Sequence, residues 1–125
     1  MDIRLLMLVG TGSFLGGILR YSMSQWIEQK FPTAFPYGTF MINIIGCLLI
    51  GVMFGFAEKN NVLPEWKLFL ATGLLGGFTT FSAFSNESIS LIREGQTGIA
   101  IAYIVASVLV GLLATALGFY FVKAL

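Results

Sequence analysis

The chain has 125 residues, of which 57% are hydrophobic and 10% charged, with a net charge of +1. A soluble domain carries about 25% charged residues, so these few charges cannot coat a globule in water, and the near-neutral balance points to no nucleic-acid partner. One cysteine excludes a disulfide within the chain, and without histidine no nucleophile–base pair or metal-ligand cluster can be assembled, so no enzyme is expected.

The charges avoid four long apolar stretches, which predict spans at about residues 3–26, 37–57, 68–92 and 98–122 of a single all-α membrane domain. A span needs about 20 apolar residues, rising ~1.5 Å each, to cross ~30 Å of hydrocarbon. The first span reaches that length with a snorkelling Arg20 and an interfacial Trp26 at its end. No small-residue cleavage motif follows it, so it reads as a retained span and not a signal peptide. Small residues recur four apart at Gly12/Gly16, Ser13/Gly17, Gly51/Gly55, Gly73/Gly77 and Ala114/Gly118. Such pairs let helix backbones approach closely in lipid, within one chain or between two.

In the second span Thr39, Asn43 and Cys47 share one helical face. Asn43 lies roughly 9 Å into the membrane, where its amide must find partners. Interhelical glue and N–H donation to an anion in transit are both open to it.

The third span carries Gly73-Leu-Leu-Gly76-Gly77-Phe78-Thr79-Thr80-Phe81-Ser82-Ala83-Phe84, a poor helix near the middle of a membrane segment. A break at residues 76–80 is predicted, leaving carbonyls that can coordinate a small cation. Non-helical backbone at that depth must be buried in protein or line a cavity. The alternative is a continuous helix whose threonines bond back to the preceding turn. Phe81 and Phe84, three apart after the break, can pack or can present positive ring edges to a dehydrated anion. Glu87, about 10 Å beyond Thr80 along a helix, belongs towards an interface. In the fourth span Tyr103, Ser107, Gly111 and Thr115 share a face, with a short hydroxyl stripe at 103 and 107.

Spans alternate direction, so Arg4, Lys59, Lys67 and Lys123 fall on one side and Arg20, Lys30 and Arg93 on the other. Cytoplasmic loops normally carry the excess of Lys and Arg. Four against three is almost no excess, which suits either weak single orientation or insertion both ways with antiparallel pairing.

The motifs Gly16-Gly-Ile-Leu-Arg20-Tyr21, Gly38-Thr-Phe-Met-Ile-Asn43-Ile-Ile-Gly46 and, above all, Gly76-Gly-Phe-Thr-Thr-Phe-Ser-Ala-Phe84 resemble the Fluc (CrcB-type) fluoride channels. The likeness extends over essentially the whole chain. It implies an antiparallel, dual-topology homodimer in the bacterial inner membrane that passes fluoride out of the cytoplasm passively and so protects against fluoride toxicity. By motif, Phe81 and Phe84 would contact fluoride by ring edges, Asn43 would donate its amide, and Tyr103 and Ser107 would begin a polar track. Thr39, Thr80 and Ser82 would supply further hydroxyls to that anion pathway. Arg20 and Glu87 would line a vestibule, and the Gly76 and Thr79 carbonyls would hold a structural Na+ between subunits. Beyond fluoride, lipid and a second copy, no protein partner is implied. The family often has Thr where this chain has Ala83, and a fourth-span hydroxyl where it has Gly111. A proton-coupled exporter of the small multidrug-resistance type is the rival, but it needs a carboxylate well inside the membrane, and the first span has none.

Overall fold

The computed structural model describes residues 1–60 and 62–125. Among them the regular structure is entirely helical: α1 (Ile3–Lys30), α2 (Tyr37–Lys59), a single turn α3 (Pro64–Lys67), a π-helical stretch (Leu68–Leu75), a short α4 (Gly76–Phe78), α5 (Phe81–Arg93) and α6 (Thr97–Ala124). Four units are long and apolar enough to cross a membrane: α1, α2, the composite Pro64–Arg93 and α6. The protein is therefore a multi-pass membrane protein.

Helix ends follow from local chemistry. Asp2 caps α1 by accepting from the Arg4 amide at 2.9 Å. At the start of α2 the Gly38 amide donates to Glu28 Oε1 of α1 at 2.9 Å. A Cβ on Gly38 would sit 2.7 Å from both Glu28 Oε1 and Ser24 Oγ, so glycine is what allows this docking. Between α5 and α6 the chain reverses at Gly95, whose φ of +79° suits a residue without Cβ.

The small-residue pairs are used within the chain. On α1, Gly12 and Gly16 lie against the backbone of the third span; a Cβ at Gly16 would collide with the Leu74 carbonyl. Gly77 lies equally close to Ser13, whose hydroxyl reaches the Gly73 carbonyl at 3.4 Å. Gly51, Gly55 and Gly118 do the same between α2 and α6. Gly17, by contrast, faces open space. The result is two close helix pairs, α1 with the third span and α2 with α6. An aromatic cluster of Phe35, Phe40, Phe84 and the fully buried Tyr103 closes one end. Large apolar side chains such as Phe14, Leu109, Leu112 and Phe121 cover the outside, as a lipid-facing surface requires.

Candidate functional site: an interrupted helix between two cavities

Helicity stops after Phe78. Thr79 (φ −91°, ψ 158°) and Thr80 (φ −150°, ψ 117°) are extended, and α5 starts at Phe81. A continuous α-helix would pair each carbonyl with the amide four residues on. Here those amides are diverted. The Thr80 N–H donates to Asn43 Oδ1 at 2.9 Å, away from Gly76, while Asn43 Nδ2 donates to the Thr80 carbonyl at 3.1 Å. The Ala83 N–H donates to Thr80 Oγ1 at 3.1 Å, away from Thr79. Arg20 Nε–H takes the Gly77 carbonyl at 3.2 Å, where the Phe81 amide would have been. Thr79 closes the preceding turn by donating both its N–H and its Oγ–H to Leu75, each at 3.0 Å. Gly46 lets α2 approach: a Cβ there would run into Thr79 Cγ2.

Two cavities flank this segment. A cavity of about 390 Å³ is lined by Asn43, Thr79, Thr80, Phe81, Phe84 and Ser107, with Gly76 and Cys47 at its wall. It opens to the outside of the chain, and Phe81 is 79% exposed there. The Phe81 and Phe84 rings stand 5.6 Å apart, tilted by 53°. The Ser107 hydroxyl is buried without a hydrogen-bond partner among the described residues. Thr11 and Ser88, by contrast, each bond the carbonyl four residues back. No lysine or arginine lines this cavity. The N-terminus of α5 lies at it, with first-turn N–H groups that have no intrahelical acceptor and a partial positive charge.

A smaller cavity of about 190 Å³ lies on the other side and is lined by Arg20, Ser24, Thr39, Thr80, Ala83 and Glu87. Thr80 borders both cavities. Between them runs a bonded set. Glu87 accepts from Thr39 Oγ1 at 2.5 Å and from the Tyr103 hydroxyl at 3.2 Å, and the Tyr103 ring packs on Phe84 at 5.1 Å.

The candidate residues thus divide. Asn43, Thr80, Phe81, Phe84 and Ser107 meet at the larger cavity, whereas Thr39, Arg20 and Glu87 meet at the smaller one. Tyr103 joins the two. Ser82 is exposed, with its oxygen 3.2 Å from that of Thr80, and lines neither cavity. Asn43 is both glue and donor in capacity, since holding Thr80 spends only one of its two amide hydrogens. Farther along α6, Thr115 is spent on the Cys47 carbonyl at 2.9 Å. Gly46 and the Gly77 carbonyl are participants that sequence reasoning passed over. Gly46 sits seven residues after Thr39 and three after Asn43, on their helical face, and that spacing was the available signal.

No group of three His, Cys, Asp or Glu side chains that could hold a metal occurs among the described residues. The Gly76 and Thr79 carbonyls lack the amide partners that a continuous helix would give them, since the Thr80 and Ala83 N–H groups bond elsewhere.

A sequence profile for the family described as "CrcB-like protein, Camphor Resistance (CrcB)" matches residues 7–119. The chain belongs to the CrcB family. Among its relatives, a protein named "Fluoride-specific ion channel FluC" in Flavobacterium psychrophilum is 52% identical over 118 residues, 94% of this chain and 95% of the relative. Proteins of the same name in Rhizobium meliloti and Methylobacillus flagellatus are 46% and 48% identical, covering 96% and 94% of this chain and 97% and 93% of their own lengths. The interrupted third span and both cavities therefore lie within the stretch that matches the family.

Proposed function

We propose that this protein is a fluoride-selective channel of the bacterial inner membrane that lets fluoride leave the cytoplasm passively. The observation that carries the reading is the unpaired Ser107 hydroxyl, buried beside the Phe81 and Phe84 rings in a cavity without a basic side chain. Fluoride is small and strongly hydrated, so a path for it must replace water with O–H, N–H and ring-edge donors. Ser107, the spare Asn43 amide hydrogen, the phenylalanine edges and the first N–H groups of α5 are such donors. Conduction also needs binding weak enough for release, which a fixed ammonium or guanidinium at this point would prevent. From there the Tyr103–Glu87–Thr39 set leads to the cavity holding Arg20, which suits a vestibule.

The working unit in this reading is an antiparallel, dual-topology homodimer. The larger cavity opens outward beside an exposed Phe81, and a second copy would wall it. The third span then acts as two half-helices meeting near the bilayer midplane. Gly76 and Thr79 carbonyls from both copies would hold a structural Na+, which would supply positive potential and tie the subunits together.

Purified protein in liposomes should release fluoride, and not chloride, down its own gradient without a proton gradient. Proton-dependent export of organic cations with no fluoride release would reject this function.

A further inference from the structure

The Gly77 carbonyl is the point at which the third span either breaks or continues. In a continuous helix it would accept from the Phe81 N–H. It accepts instead from Arg20 Nε of α1, at 3.2 Å in a partly buried setting. An acceptor held by a charged donor is engaged more strongly than by an amide. The close approach of α1 makes this bond possible: Gly16, one turn before Arg20, touches the Leu74 carbonyl, and Gly77 itself touches Ser13. We infer that Arg20 is a positioning residue for anion passage, keeping the third span broken by occupying the acceptor that would otherwise let the helix close. With Gly77 released, the Phe81 amide can return to it, and the extended Thr79 and Thr80 are drawn into a helical turn. Phe81, the N-terminus of α5 and the Thr80 groups held by Asn43 then all leave their present positions. The inference rests on the fluoride-channel reading only in its choice of readout.

The competing role for Arg20 is a charge that draws anions into the smaller cavity. Glu87 lines that same cavity from α5, so the guanidinium does not present an isolated positive charge there. Side-chain geometry separates the two roles. The amide nitrogen of glutamine lies the same number of bonds from Cα as Arg Nε, so Arg20→Gln keeps a donor in place and removes the charge. Arg20→Lys keeps the charge but puts a methylene where Nε–H was.

The experiment is fluoride release from liposomes by wild type, Arg20→Gln and Arg20→Lys, with elution volume and thermal midpoint measured for each. A positioning role predicts that Arg20→Gln stays within about threefold of wild type while Arg20→Lys falls by about tenfold or more, the scale of one hydrogen bond to a charged group. The midpoint of a folded Lys variant should change far less than its flux. The reverse order, with Lys active and Gln inactive, assigns the charge role and overturns the inference. So do equal fluxes in all three proteins, loss in both folded variants, or a Gln variant that does not fold. Should only the Lys variant fail to fold, near-normal flux in Arg20→Gln upholds the donor role, since a side chain without a task would tolerate lysine. A wild type that releases no fluoride removes the channel reading itself, an outcome read before any variant is compared.

Discussion

Ser107 and Asn43 carry the sharpest expectations because their polar atoms have countable partners. Ser107 spends its hydroxyl on nothing in the described chain. Replacing it with alanine removes no internal bond and takes one donor from the cavity. Fluoride release from Ser107→Ala liposomes should drop by about tenfold, the worth of a hydrogen bond to an ion, with thermal stability unchanged. Asn43 behaves oppositely, for it holds both backbone groups of Thr80. Asn43→Ala leaves a partly buried N–H and C=O unpaired, at up to about 1–3 kcal/mol each, so melting temperature and flux should fall together. Phe81→Ile or Phe84→Ile keeps apolar bulk and removes the ring edge; flux should vanish while the elution profile stays that of wild type. Normal flux in both phenylalanine variants would defeat the ring-edge role.

At the scale of helices, the glycines sort into those under contact and those that are free. Gly16→Ala must force its Cβ into the Leu74 carbonyl, whereas Gly17→Ala meets nothing within 4 Å. Overpacking of this kind typically costs about 1–3 kcal/mol, while an unhindered Gly→Ala in a helix gains about 1 kcal/mol. The two neighbours should therefore shift the thermal midpoint in opposite directions, Gly16→Ala down and Gly17→Ala level or up. The same pairing explains the third span. Its glycines admit α1 so closely that Ser13 and Arg20 can bond its carbonyls, and Gly46 admits α2 so closely that Asn43 reaches Thr80. An interruption with its amides and carbonyls taken over by neighbouring helices is tolerable where lipid offers no partners.

For the molecule as a whole, the charges at the two ends decide orientation. One end carries Arg4 beside Glu65 at 3.6 Å and Lys123 beside Glu58 at 3.1 Å, so part of its basic excess is paired. Exposed pairs of this kind add about 0–1 kcal/mol to stability, so their neutralisation should matter more to insertion than to folding. Reporter domains fused to the C-terminus should be detected on both sides of the membrane in comparable amounts. Adding two lysines beside Lys123 should bias them to the cytoplasm. A reporter confined to one side in the unaltered chain would remove dual topology from the proposal.

The sequence alone determined the membrane class, the four spans and the residues worth suspecting, because hydrophobic length and polarity inside lipid are local properties that composition records directly. It also supplied the family, through motifs long enough to be specific. It left open whether the glycine pairs served one chain or two, and whether Asn43 was glue or donor. Those questions turn on which helices touch, and contact is not written in spacing. Tertiary structure decided that α1 packs on the third span and α2 on α6. It brought Arg20, distant from Gly77 in the chain, onto the Gly77 carbonyl, and it put the Ser82 oxygen beside that of Thr80 while leaving Ser107 unpaired. The physical reason is one of accounting for donors and acceptors: a hydroxyl or carbonyl in lipid is free or satisfied according to what a neighbouring helix brings to it, and only the packed fold says what that is.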